Sequence, residues 1–182
     1  MSYNIINEGS APQPDNLHLA IGASEMRGYV GCTVAIDTTQ VGCVTGSAET
    51  ALYSGTILAN ALDVNGQSLE FYCVGTFANS ASIDKNVTVQ YGAVNILQTG
   101  NMVVTGGGNW SVHGTVIRTG DASQKCVVVF NSDDSSLRSL VKYTATTATM
   151  SANVTAIVWG KGTFANDVVG EFTKVSWSST DA

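Results

Sequence analysis

The chain has 182 residues, of which 44% are apolar and 12% are charged, and its net charge at pH 7 is −6. This length suits one domain whose core needs no metal ion or disulfide. Eight Lys and Arg against 14 Asp and Glu give no basic stripe for phosphate groups, so direct nucleic acid binding is not expected. We also expect neither a signal peptide nor a membrane span, because no basic and then apolar segment opens the chain and no run of about 18 apolar residues occurs.

Residues 1–16 predict an extended N-terminal arm. They contain both prolines of the chain, few large apolar residues and no periodicity. Tyr3, Ile5 and Ile6 give this arm enough apolar character to lie along a partner, so they are the candidate partner-binding residues. Residues 17–182 are assigned to a single domain.

Beyond the arm, apolar and polar residues alternate with the period of two that buries one face of a strand. Three stretches show it best, and the side chains predicted to face inward are Leu69, Phe71, Cys73 and Phe77 in LEFYCVGTF; Val87, Val89 and Tyr91 in NVTVQYG; and Trp110, Val112 and Val116 in WSVHGTVIRTG. KCVVVF is apolar on both faces, which is typical of a central strand in a sandwich. About ten such stretches, separated by turn signals, predict an all-β, antiparallel sandwich or barrel.

The four cysteines lie in apolar, strand-like runs at Cys32, Cys43, Cys73 and Cys126. They form no CxxC pair, and His18 and His113 are isolated from them, so zinc-ligand spacing is missing. Buried thiols that behave as small apolar side chains are the favoured interpretation. A disulfide between Cys32 and Cys43 across a hairpin stays open, because only geometry decides it.

Three features were candidates for chemistry. TGGGNW, at 105–110, lacks the Lys and the following helix of a phosphate-binding loop, and it is interpreted as a hairpin turn. Asp133 and Asp134 in NSDDSS lack EF-hand spacing, which favours a solvated turn. His113 lies in a strand with no nucleophile motif, which favours a packed or interface histidine. We therefore expect no catalytic residue, no metal site, no cofactor and no enzymatic activity.

The pentapeptide GTFAN occurs at 75–79 and again at 162–166. The flanking sequences differ, so the two copies do not indicate a duplicated unit. Each copy follows an apolar strand and leads into a polar turn. We expect Phe77 and Phe164 to plug the edge of the core, and the Asn of each copy to start the turn.

A series of single residues runs through the chain between about residues 45 and 178. In order, it comprises Leu52, Tyr53, Asn60, Leu62, Asn65, Gly66, the first GTFAN, Lys85, Tyr91, Gly92, Trp110, Val116–Gly120, Gln124, Lys125, Asn166 and Asp167. This pattern resembles a jelly-roll domain of tailed-phage virion proteins, which are usually labelled tail fibre, head fibre or capsid decoration proteins. The resemblance implies an antiparallel jelly-roll β-sandwich of about 8 to 10 strands, a homotrimer and no catalytic residues. Residues 1–45 have no counterpart in it.

The leading functional hypothesis is a virion structural protein: a capsid cement or decoration protein whose trimeric knobs bind and stabilise the outer shell. We expect it on the surface of a phage particle, after assembly in the host cytoplasm, with the major capsid protein or another virion protein as partner. Heptads, collagen-like repeats and β-helical repeats that project a fibre tip are missing from the sequence. Apolar surface for subunit contacts is expected from some of the aromatic residues Tyr72, Tyr91, Trp159 and Trp177.

Two other hypotheses stay open. The chain is alternatively a receptor-binding tip or adaptor of a tail fibre, which recognises host surface glycans or proteins through the TGGGNW and NSDDSS loops. A carbohydrate-active enzyme on a β-sandwich is the third, and it requires paired carboxylates several Å apart in a groove. The acidic residues here lie mostly in turn-like stretches, which disfavours it.

Overall fold

The computed structural model describes residues 32–46, 48–80, 84–104, 106–134 and 139–178, and these contain eleven β-strands and no helix. The strands are β1 (Cys32–Asp37), β2 (Val41–Gly42), β3 (Thr50–Ile57), β4 (Ser68–Phe77), β5 (Asn86–Tyr91), β6 (Val94–Gln98), β7 (Gly108–Gly120), β8 (Ser123–Ser132), β9 (Leu140–Thr146), β10 (Val154–Lys161) and β11 (Val168–Ser178). The all-β prediction is confirmed. The predicted arm, with Tyr3, Ile5 and Ile6, lies outside the described residues.

The strands form two antiparallel sheets that pack as a sandwich. One sheet has the order β1-β11-β4-β7-β8-β9, with β2 also paired to β11, and the other has the order β3-β10-β5-β6. The first strand thus pairs with the last, and the chain crosses repeatedly between the sheets, which is jelly-roll topology. The β8–β9 hairpin extends the larger sheet beyond the four strands that jelly-roll sheets usually have, so the predicted fold is confirmed with one added hairpin.

The core lies between the sheets, where the predicted inward faces meet. Ten side chains were predicted to face inward, and nine of them are buried: Leu69, Cys73, Phe77, Val87, Val89, Tyr91, Trp110, Val112 and Val116. Phe71 has the same orientation and is partly buried against this cluster. Period-two alternation therefore predicted the inward faces of β4, β5 and β7 correctly.

The stretch KCVVVF lies in β8, which is a central strand as predicted, between β7 and β9, but the two faces of β8 differ in burial. Cys126, Val128 and Phe130 are buried, but Val127 on the opposite face is 41% exposed. The sandwich has only two layers, so the outer face of the larger sheet has no described element packed against it along β8. An apolar side chain that points outward from β8 therefore meets solvent.

The two ends of the sandwich carry different loops. Five connections lie at one end, β2–β3, β4–β5, β6–β7, β8–β9 and β10–β11, and we call it the GTFAN end because both GTFAN copies lie there. The opposite end, which we call the hairpin end, carries the β7–β8 hairpin and the β3–β4, β5–β6 and β9–β10 connections. Cys32 pairs with Trp177 near the end of β11, so β1 begins at the hairpin end.

The cysteine geometry excludes the open disulfide. Cys32 pairs with Trp177, whereas the backbone N–H of Cys43 donates to the carbonyl of Val168 at the other end of β11. Nine residues of strand separate these two positions, roughly 30 Å at about 3.3 Å per residue, far beyond disulfide reach. Cys43, Cys73 and Cys126 are free and buried, as expected of thiols that serve as apolar side chains.

We predict that the buried thiols resist alkylation until the protein unfolds. Desolvation raises the pKa of Cys73 to about 12 and that of Cys126 to about 11, so neither presents a reactive thiolate at neutral pH. Iodoacetamide at pH 8 should leave both cysteines unmodified in buffer and modify both in guanidinium chloride, as read by peptide mass spectrometry. Rapid modification of either cysteine in buffer would contradict this packing.

Candidate interaction surfaces

A buried lysine organises the GTFAN end. The Lys85 side chain is fully buried just before β5, and its Nζ donates to the carbonyl oxygens of Ala78 at 2.7 Å, Ser80 at 3.3 Å and Val104 at 2.6 Å. These three bonds use all three donors of a protonated ammonium group. Lys85 therefore links the β4–β5 loop to the β6–β7 loop.

The charge of Lys85 is balanced by a buried carboxylate. Desolvation lowers the pKa of Lys85, and the Asp167 carboxylate acts in the opposite direction. Asp167 is also fully buried, and its Oδ1 accepts a hydrogen bond from Ser80 Oγ at 2.5 Å. A buried charge is tolerated when it has an opposite charge nearby and hydrogen-bond partners.

Asp167 also fixes the β10–β11 turn that contains the second GTFAN. Its Oδ2 accepts the backbone N–H of Phe164 at 2.8 Å, and its carbonyl accepts the backbone N–H of Ala78 at 3.0 Å. Asn166 has a φ of 60°, in the left-handed region. Its backbone N–H donates to the carbonyl oxygen of Cys43 at 2.8 Å. The two GTFAN copies therefore lie side by side, joined through Ala78, Ser80 and Asp167.

The predicted role of Phe164 is wrong. Phe77 plugs the core as expected and is 3% exposed, but Phe164 is 53% exposed. The first copy begins inside β4, which ends at Phe77 on the inward face, whereas the second copy lies entirely in the turn after β10. The same five residues thus bury one phenylalanine and expose the other.

The second exposed phenylalanine forms part of a small apolar projection. The backbone N–H of Gly46 donates to the carbonyl of Thr163, which holds the β2–β3 loop beside the turn, and that loop exposes Val44. We call Phe164 and Val44 the tip. The carboxylate of Asp84 lies beside it, because its Oδ2 accepts the Thr163 hydroxyl at 3.5 Å. Glu49, in the same β2–β3 loop as Val44, is exposed.

A larger apolar surface covers the outer face of β7, β8 and β9. We call it the outer patch, and its members are Ile117, Val127, Val129, Val141 and Tyr143. Val127 lies opposite Tyr143, and Val129 lies opposite Val141, so the side chains form adjacent cross-strand rows. Val141 is 64% exposed and Tyr143 is 60% exposed.

The charge of these three strands is opposite to that of the whole chain. β7, β8 and β9 contain buried Arg118 and exposed Lys125 and Lys142, and they contain no Asp or Glu. The net charge of the whole chain is −6. The outer patch is therefore both apolar and free of carboxylates on its own strands.

Beside the outer patch, a shallow groove of about 490 Å³ brings together the two loops singled out in the sequence. Its lining includes Tyr72 on the floor, Asn109 from TGGGNW, Asp133 from NSDDSS and Glu171 on β11. Asp133 accepts hydrogen bonds from the backbone N–H and the Nδ2 of Asn109, both at 2.6 Å. Asp133 therefore joins one loop to the other by hydrogen bonds. It is also exposed, as predicted.

TGGGNW is not the predicted hairpin turn, because it connects β6 in one sheet to β7 in the other. Gly107 and Gly108 have φ of 71° and 151°, and a Cβ at Gly108 would lie 2.4 Å from Asp133 Oδ1. Glycine is needed at Gly108 because the backbone approaches Asp133 closely. The sequence analysis predicted that TGGGNW is a loop, but it did not predict that this loop joins the two sheets.

The aromatic candidates divide between core and surface. Tyr91 and Trp177 are core residues, whereas Tyr72 is 43% exposed and Trp159 is partly buried with its Nε1 bonded to Gln90 at 3.0 Å. His113 is exposed on the outer face and meets the Tyr72 ring edge-on, with centroids 6.3 Å apart.

Neither a metal cluster nor a membrane-spanning helix occurs in the part of the chain that the structure describes. No three His, Cys, Asp or Glu side chains there are grouped to hold an ion. No helix there is long and apolar enough to cross a bilayer.

Sequence reasoning missed the outer patch and the tip. The signal for the outer patch was present, since KCVVVF carries apolar residues on both faces. Lys85 was singled out only as part of the resemblance, and its burial has no signal in composition or periodicity.

No protein-family model matches the chain, and no curated protein matches it. Among solved structures, it is similar to the VP2 subviral particle of infectious bursal disease virus, with 12% identity and a TM-score of 0.22. The match covers 82% of this chain, which spans 40% of the length of that one. A similarity at this level carries no argument about function.

We predict that Lys85→Met destabilises the fold by at least about 2 kcal/mol, because the buried carbonyl of Val104 and the partly buried carbonyls of Ala78 and Ser80 lose their donor, at about 1–3 kcal/mol for a buried group. Urea unfolding followed by tryptophan fluorescence measures this change. The control Lys142→Met alters an exposed lysine and should shift the free energy of unfolding by about 0.5 kcal/mol or less. Equal stability of the two variants would contradict the proposed role of the Lys85 ammonium.

Proposed function

We propose that the protein is a structural component of a virus particle, a capsid cement or decoration protein that forms trimeric jelly-roll knobs on the outer shell. The observation that carries the proposal is the outer patch. Exposed apolar side chains on three neighbouring strands form a surface of the kind that marks contact sites in soluble proteins. No catalytic step is part of this proposal.

The proposed partners are further copies of the chain and the major capsid protein or another virion protein. A trimer that makes three identical shell contacts gains affinity, because the second and third contacts form at high effective concentration. The segment with Tyr3, Ile5 and Ile6 precedes β1, which begins at the hairpin end. We propose that Tyr3, Ile5 and Ile6 of this segment contact the shell.

Labelling of purified phage particles tests the location. A gold-conjugated antibody against the protein should decorate the whole head in electron micrographs, because cement proteins occupy repeated sites on the shell. A few labels confined to the tail would exclude the cement role.

Removal of residues 1–16 tests the docking segment. The truncated protein should remain trimeric but fail to co-sediment with shells that lack the protein. Unchanged co-sedimentation would exclude Tyr3, Ile5 and Ile6 as shell contacts without affecting the location experiment.

The groove favours a second candidate function, a receptor-binding tip or adaptor of a tail fibre that recognises host glycans. The groove joins the two loops predicted for this role, and its floor exposes the Tyr72 ring beside Asn109, Asp133 and Glu171. An aromatic ring offers an apolar face for the C–H groups of a sugar, and the amide and carboxylate groups suit its hydroxyls.

We predict for this second candidate that Tyr72→Ala lowers binding to host-surface glycans on an array at least about tenfold, since about 1.4 kcal/mol of stacking corresponds to that factor. The control Ile36→Ala removes an exposed apolar side chain of the same sheet outside the groove, and it should bind like the wild type. Equal binding by Tyr72→Ala, or no binding by the wild type, would exclude the groove as a glycan site.

A further inference from the structure

We propose that the trimer closes by a contact between two different surfaces: the tip of one protomer packs on the outer patch of the next copy. This inference rests on the proposed trimer and specifies its interface. A surface that pairs with itself gives a two-fold dimer, whereas a ring of three requires two complementary surfaces on each protomer. The described residues present two separate apolar surfaces of this kind, the tip and the outer patch.

The tip is held ready for binding. The backbone N–H of Phe164 is fixed by Asp167 Oδ2, and the neighbouring Thr163 is tied to Gly46 and to Asp84. The turn therefore has little conformational freedom to lose when Phe164 is covered. Exposed aromatic side chains on a fixed backbone are frequent energetic centres of protein interfaces.

The outer patch suits such a projection. It is a regular sheet surface of β-branched and aromatic side chains, with Val127 and Val129 at its centre and Val141 and Tyr143 toward the edge strand β9. An aromatic side chain from another copy would remove apolar area from water on both partners, which stabilises the contact by about 25 cal/mol per Å².

Charge complementarity selects a second copy as the occupant. The carboxylate of Asp84 lies beside the tip, because its Oδ2 accepts the Thr163 hydroxyl. Lys125 lies beside the outer patch, because it is exposed on the outward face of β8, opposite Ile117. Lys161 precedes the turn at the end of β10 and is partly exposed on the smaller sheet, opposite Asn86. Two chains of net charge −6 repel each other at most surfaces, so the pairing of a carboxylate-flanked tip with a lysine-bearing patch is favoured.

The contact has to join different copies. The tip follows β10 and leads into β11, and β11 is three strands away from β8 in the larger sheet. At about 4.8 Å per strand, this separation is roughly 14 Å along the sheet. The tip is fixed to its own domain, so it does not reach the outer patch of the same copy. Each copy therefore keeps one uncovered tip and one uncovered outer patch until three copies close into a ring.

The experiment uses two full-length variants, Phe164→Glu in the tip and Tyr143→Glu in the outer patch, with folding checked by circular dichroism. Analytical ultracentrifugation should show a trimeric wild type and two monomeric variants. An equimolar mixture should form a one-to-one dimer, because the intact patch of the first variant accepts the intact tip of the second, and the ring cannot close. Leu58→Glu, at an exposed apolar residue of the hairpin end, is the control and should stay trimeric.

The other outcomes overturn the inference. If Phe164→Glu stays trimeric, or if the mixture stays monomeric, the interface is not the proposed one, while the trimer of the proposed function stands. If the wild type itself is monomeric, both the inference and the trimer fail. The labelling of phage particles still decides the virion role in each case.

Discussion

The GTFAN end depends on one ammonium group that has no access to water. Removal of a charged group from water costs several kcal/mol, so Lys85 is tolerated only while its three carbonyl partners stay in place. Those carbonyls belong to the loops that enter β5 and β7, and the neighbouring Asp167 fixes the turn that enters β11. The buried charge of Lys85, through Asp167, therefore contributes to fixing the turn that carries Phe164 on the surface.

A second constraint is that a sandwich has two layers and hence two outer faces. Alternation along a strand decides which side chains point inward, but it does not decide whether the outward ones are covered. In β8, the inward Val128 is buried and the outward Val127 is exposed. The proposed assembly role rests on this uncovered face, because the core is complete without the outward side chains of β8.

The sequence was sufficient for the strands and their inward faces, because period-two alternation is a local property. The jelly-roll arrangement required the resemblance. Several residues quoted for it lie where the backbone restricts the choice of residue: φ is positive at Asn60, Gly66, Gly92 and Asn166. Others in that series are fully buried polar groups, such as Gln124 and Asp167. The membership of that family stays a prediction.

The remaining errors share one cause, which is that burial and pairing are not local. Two identical pentapeptides place Phe77 in the core and Phe164 in solvent, because only the first has its phenylalanine inside a strand. TGGGNW has the composition of a hairpin turn but crosses between sheets. The burial of a phenylalanine and the path of a loop both depend on residues that are distant in the sequence, so a short stretch of sequence does not determine either of them.

The direction of β1 and β11 has a practical consequence for protein engineering. β1 begins and β11 ends at the hairpin end, paired through Cys32 and Trp177. A polypeptide fused before β1 or after β11 would therefore leave from one side, and the five loops of the GTFAN end lie on the other. The domain has the layout of a display scaffold, with its attachment points and the loops of the GTFAN end on opposite sides.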